Sequence, residues 1–226
     1  MAHILITGAT GMVGKGVLYA CLKDATITKI TLLTRRSTGI SDSKIEELIL
    51  TDFSNLDTIQ PQLNKVDACF HCMGISSIGV SQEEFTLKTF EYTKSLADVC
   101  YEVNPKMTFC YVSGTGTSTA ENSRSMWANV KGKTENYIIN KGFERVFLFR
   151  PGLILPEDGI RSSTGWYNAI YQIMRPFYGL LKKSKNVTST RKIGAAMIAA
   201  SQHQKPLVEH LENPQINTWA TRSLAT

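Results

Sequence analysis

Near its start the chain runs a short apolar stretch, His3-Ile4-Leu5-Ile6-Thr7, straight into Gly8-Ala9-Thr10-Gly11-Met12-Val13-Gly14, and Lys15 to Cys21 then continue with helical spacing. These three glycines, spaced G-x-x-G-x-x-G, constrain the fold more than any other feature of the sequence. A strand that turns at once into a helix needs one residue without a Cβ to reverse direction. It needs a second where a ligand can meet bare backbone, and a third where helix and strand pack closely. The first helical turn, including the amides of Met12 and Val13, has no intrahelical acceptors and carries a partial positive charge. That arrangement suits the diphosphate of a dinucleotide. With a strand before it and a helix behind it, the triplet has the context that the motif requires.

The remainder of the chain repeats the alternation. Strands are expected over Ala2 to Thr7, Lys29 to Thr34, Glu46 to Thr51, Val66 to Cys72, Met107 to Ser113 and Arg145 to Arg150. Helices are expected over Met12 to Lys23, from Ser81 to about Val103, and from about Ser125 to Asn140. Ser81-Gln82-Glu83-Glu84 has the form of a capping box, in which Ser81 caps the helix and Glu84 reaches back. Asn104-Pro105 ends that helix, because a residue before proline avoids the α region, and Gly142 ends the next. Six strands separated by helices predict a doubly wound α/β Rossmann fold with a parallel sheet. The 226 residues suffice for a single domain. Its core is expected over 1–152 and a small, mostly helical C-terminal cap over 153–226.

A net charge of +6 suits a polyanion, but no run of Lys/Arg exceeds two residues, so a dinucleotide fits better than nucleic acid. Five scattered cysteines, an odd number in a chain of this size, argue for a reducing compartment. No apolar stretch approaches the roughly 20 residues of a membrane span. The expectation is a cytoplasmic protein without stable membrane association.

One strand beyond the glycine loop, a cofactor lacking a 2′-phosphate would want a carboxylate for its ribose; the chain has Thr34-Arg35-Arg36 instead. A guanidinium can grip a 2′-phosphate with two hydrogen bonds, which favours NADP(H) over NAD(H), unless the two arginines are merely solvated surface groups. Asp52-Phe53 falls where adenine would be bracketed, although Asp52 fits a turn cap equally well. Cys72-Met73-Gly74 lets backbone approach the cofactor ribose.

Together these motifs resemble an atypical, extended short-chain dehydrogenase/reductase of the epimerase/dehydratase-like kind, in the Tat-interacting-protein and NmrA-like branch. The resemblance is carried by Thr7-Gly8-Ala9-Thr10-Gly11, Arg35-Arg36, Asp52-Phe53, Val130-Lys131-Gly132, Phe149-Arg150-Pro151-Gly152 and Leu211-Glu212-Asn213. It implies a serine that polarises a carbonyl, a tyrosine that transfers the proton, and a lysine four residues later that tunes the tyrosine and binds ribose. Ser113 and Lys131 match, and Pro151-Gly152 would pass the nicotinamide carboxamide. The tyrosine position holds Trp127. Indole donates a hydrogen bond but does not titrate usefully, so Trp127 cannot relay the proton and fits better as an aromatic wall of the pocket. Tyr137, ten residues along at about 100° each, points to another face.

Cys69-Phe70-His71-Cys72 lies within a buried strand, where residues three apart face opposite sides, so no metal is expected. Trp166, Tyr167, Tyr171, Phe177 and Tyr178, with Arg175, Lys182, Lys183 and Lys185, read as a core helix with a basic exit, as a lid over a substrate, or as a contact for an anionic membrane surface. These residues imply an oxidoreductase-like protein acting on an unidentified small molecule. The alternative is a non-catalytic NADP(H) sensor read by a protein partner. Epimerisation of a nucleotide sugar is disfavoured by the short C-terminal third, and a homodimer is left open.

Overall fold

The computed structural model describes residues 2–54, 56–160, 178–181 and 184–223. The first half runs β1 (Ala2–Thr7), α1 (Met12–Lys23), β2 (Ile27–Thr34), β3 (Ile45–Ile49), α2 (Gln60–Leu63), β4 (Ala68–His71), α3 (Gln82–Thr86), α4 (Tyr92–Val103) and β5 (Thr108–Val112). It continues with α5 (Met126–Lys141), β6 (Arg145–Arg150), β7 (Leu153–Leu155), α6 (Tyr178–Leu181), β8 (Val187–Ser189), α7 (Thr190–Ser201), β9 (Leu207–Glu212) and α8 (Asn213–Ser223). The main sheet has the order β3-β2-β1-β4-β5-β6-β9, and every neighbouring pair is parallel. The winding direction reverses between β1 and β4, which opens a crevice beyond their carboxyl ends.

The inner strands are buried on both faces, and their period of two sorts side chains into two cores. Ile4, Ile6, Phe70, Cys110, Phe147 and Phe149 meet α1, α7 and α8 on one side. Leu5, Cys69, Phe109, Tyr111 and Leu148 meet α4 and α5 on the other. Each large side chain so buried contributes about 1.5–3 kcal/mol. Ser81 caps α3 by accepting from the Glu84 amide, as expected, but the Glu84 carboxylate bonds Lys88 four residues on instead of reaching back.

The Rossmann-like α/β fold with a parallel sheet and a smaller, mostly helical C-terminal part is as the sequence predicts. The boundary at residue 152 is not. Leu207–Glu212 supplies a seventh strand beside β6, and α7 packs against α1 so closely that a Cβ on Gly16 would lie 2.5 Å from the Thr190 Cβ. β9 carries no strand signal in the sequence because an edge strand lacks the continuous apolar run of an inner one: Val208 is exposed while Leu211 is buried. Most of the aromatic segment at 166–178 lies outside the described residues. No described helix is long and apolar enough to cross a membrane.

Candidate functional site

β1 delivers the glycine loop to the crevice between β1 and β4. Gly8 has φ +71°, and a Cβ there would sit 2.7 Å from the Cys72 carbonyl and the Met73 nitrogen. A Cβ on Gly14 would sit 2.2 Å from the Gly8 oxygen, so the start of α1 presses directly on the end of β1. The turn is closed by the Gly11 amide donating to the Gly8 carbonyl over 2.9 Å. Gly11 caps α1 without a side-chain hydrogen bond, and no acidic residue lies in the first turn. The amides at Met12 and Val13 have no intrahelical acceptor, and the dipole at this end of α1 favours an anion.

Gly8, Thr10, Gly11, Arg35, Arg36, Phe53, Met73 and Gly74 come together around a cleft of about 350 Å³. Thr34 also lines it, as do Ile75 and Ser76, which no motif in the sequence marks. Thr34 holds the arginine turn by donating from Oγ1 to the Arg36 carbonyl over 2.8 Å. Phe53 is buried beneath the cleft, its ring 5.9 Å from that of Tyr92. Asp52 does not line the cleft. It is exposed and accepts from both the amide and the hydroxyl of Ser54, which hold its carboxyl below the usual range, so it takes the turn-cap role.

The second half of the expected site gathers at the carboxyl end of β5. Lys131 is half-buried and its Nζ donates to the main-chain oxygen of Ser113. Burial pulls the Lys131 ammonium down to about 8, against the opposing effect of the Glu135 carboxylate. The Ser113 hydroxyl is committed elsewhere: it donates to Glu135 Oε1 at 2.6 Å, and both residues are buried. Arg150 grips the same carboxylate through Nε at 3.0 Å and through Nη2, with His210 Nε2 3.5 Å away. Ser113 is thus tied into a buried Ser–Glu–Arg cluster, and its hydroxyl is not free to polarise a carbonyl in this arrangement.

Trp127 packs against the loop after β5; a Cβ on Gly116 would meet its ring at 3.4 Å. It is partly buried and packs against the small cluster of Phe85, Phe90 and Val130. Pro151 is buried and its carbonyl accepts from the Thr115 amide, while the Gly152 amide donates to Asn213. Tyr137 meets Phe90 edge-on, with ring centroids 5.8 Å apart, and donates its hydroxyl to Asp98 at 2.5 Å.

His71 is buried, with Nδ1 2.7 Å from Thr7 Oγ1 and Nε2 2.8 Å from Thr93 Oγ1. Burial, aided by the charge of Lys131, lowers it to about 3. Among the described residues no group of three or more His, Cys, Asp or Glu side chains is placed to hold a metal ion. Nothing local in the sequence marks the helical Glu135 as buried until its arginine arrives from the next strand.

The chain is 26% identical over 183 residues to protein HTATIP2 of Rattus norvegicus, covering 80% of this chain and 72% of that one. It is 30% identical over 171 residues to the mitochondrial protein FMP52 of Candida albicans, covering 74% and 72%. Among solved structures, UDP-glucuronic acid 4-epimerase from Bacillus cereus, in complex with NAD, superposes with a TM-score of 0.69 at 16% identity, covering 93% of this chain and 77% of that one. The Bordetella bronchiseptica enzyme WbmH, in complex with NAD+, gives 0.68 at 15% identity, with 93% and 75% covered.

The preference for NADP(H) over NAD(H) is corrected by these neighbours, which hold NAD. The physical reason is visible at the arginines. Both are exposed, and no ion pair fixes either of them among the described residues, so their presence beside the cleft does not by itself select a phosphate. The description of the NAD dependent epimerase/dehydratase family matches residues 4–141. The chain belongs to the NAD dependent epimerase/dehydratase family, an oxidoreductase- and epimerase-type group of NAD(P)-binding Rossmann proteins.

Proposed function

We propose that the chain binds NAD(H) across the crevice between β1 and β4 and acts as an oxidoreductase- or epimerase-type enzyme on a small molecule held toward the C-terminal segment. The observation that carries this reading is the bare-backbone cradle at Gly8, Gly11 and Gly14, opening on an uncapped helix start. In this reading the amides at Met12 and Val13 hold the diphosphate, Arg35, Arg36 and Phe53 surround the adenosine, and Met73-Gly74 lie along a ribose. Lys131, Pro151 and Gly152 then face the nicotinamide half. When bound, NAD supplies hydride exchange with a carbonyl or alcohol. The five unpaired thiols support a reducing, cytoplasmic setting.

A second reading, a dinucleotide-sensing protein without turnover, is favoured by Trp127 in the tyrosine position and by the engagement of the Ser113 hydroxyl with Glu135. Calorimetry with NAD+ and NADH tests the site, and NADH oxidation across a panel of carbonyl compounds separates the readings. Binding with turnover supports the enzyme. Binding with no turnover on any compound supports the sensor, and absence of binding to folded protein refutes both.

A further inference from the structure

An enzyme of this kind must hold and release a proton where the substrate oxygen lies, and Trp127 offers none. One turn along α5, Lys131 stands on the same helix face, with its Nζ anchored on the main-chain oxygen of Ser113 at the carboxyl end of β5. An ammonium has three protons. One is used on Ser113, which leaves two to offer.

Among the described residues, the other titratable groups linked to this point are already engaged or out of range. On β4, His71 has both ring nitrogens engaged by threonine hydroxyls and stays neutral. On β5, burial pushes the Tyr111 phenol up, out of working range. Further along α5, Glu135 is occupied by Ser113 and by Arg150 of β6, with His210 of β9 beside it.

We propose that Lys131 Nζ is itself the acid–base group of this site, passing a proton directly to and from the substrate oxygen rather than tuning a tyrosine. The inference rests on the dinucleotide reading above and deepens it. Burial has already drawn the amine down to about 8, where donor and acceptor forms coexist near neutrality. In the reducing direction the carbonyl carbon takes the hydride that the reduced dinucleotide supplies. The carbonyl oxygen takes the π electron pair and one Nζ proton, and water reprotonates the neutral amine.

Two measurements test this. The first is the 13Cε titration of lysine-labelled, ligand-free protein, with the Lys131 signal identified by its loss in both Lys131→Arg and Lys131→Met. A midpoint about 8 is expected, and a midpoint in the ordinary lysine range of about 10.4 overturns the inference. The second is single-turnover reduction of a substrate found in the carbonyl panel. Lys131→Arg keeps the charge and the donor to Ser113 but does not titrate, so it should still bind NADH while the rate falls by roughly a hundredfold or more. If Lys131 only props the loop, arginine preserves the rate, and that result overturns the inference while leaving the cofactor site intact. A parent protein that does not bind NAD(H) overturns both.

Discussion

Replacing Gly8 with alanine puts a methyl group into backbone that cannot yield cheaply. Gly8 holds φ +71°, and an alanine in this left-handed region costs about 1–2 kcal/mol. The new Cβ would also lie 2.7 Å from three main-chain atoms of Cys72 and Met73. Relieving that overlap means moving the chain beyond β4, at a further cost of about 1–3 kcal/mol. The sum, roughly 2–5 kcal/mol, corresponds to a fall in Tm of about 4–20 °C for a chain this size. Gly39 provides the control: its φ is +70° but nothing lies within 4 Å of its Cβ position, so Gly39→Ala should carry the conformational cost alone. Urea denaturation of the two variants measures the difference, and titration with NAD measures whether the displaced Cys72–Met73 wall weakens binding, expected by about tenfold. Equal destabilisation by the two substitutions, with equal NAD affinity, would show that the close approach of loop and strand contributes nothing.

Glu135→Gln leaves Arg150 without its buried partner and should destabilise by about 3–5 kcal/mol, whereas the pair Glu135→Leu with Arg150→Met should recover much of the loss; thermal melts that rank the single variant as the more stable refute this. His71 is depressed to about 3 by burial first and the charge of Lys131 second, so the unfolded chain takes up its proton before the folded one. Its contribution is therefore complete above about pH 6.5 and is lost as pH falls from there toward the folded value, by up to about 1.4 kcal/mol per unit. His71→Asn should flatten that slope between pH 4 and 6, and identical slopes would exclude the assignment. At Asp98, burial raises the carboxyl but is outweighed by hydrogen bonds from Lys141, Lys94 and Tyr137, which lower it. Asp98→Asn should thus cost about 1 kcal/mol at pH 7, after allowance for solvent screening, and progressively less as pH falls through the folded value; a difference from the parent that does not shrink in acid contradicts this.

Much of the cleft beside the glycine loop could be read from the sequence because its determinants are local. The Gly8–Gly14 turn, the Ser81 cap and the Gly142 stop each depend on backbone states set by a few adjacent residues, and all three stand where the spacing predicts. Arg35 and Arg36 reach the cleft by simple strand arithmetic, but their exposure could not be read from order alone. The same is true of Asp52, for which a turn cap and a ligand contact give identical local patterns until Ser54 is seen beneath the carboxylate. β9 was hidden because alternation on an edge strand is broken by solvent-facing residues such as Val208.

The sequence alone determined the alternation of strands and helices, the glycine turn between β1 and α1 and the indole at Trp127, since period, glycine placement and side-chain chemistry are properties of neighbouring residues. Only the tertiary structure decided that the Ser113 hydroxyl belongs to Glu135, that Arg150 closes that cluster, and that the C-terminal third completes the sheet. These depend on which distant segments the packing of two cores brings face to face. No local pattern carries that information, because the same serine, glutamate and arginine would read alike if solvent lay between them.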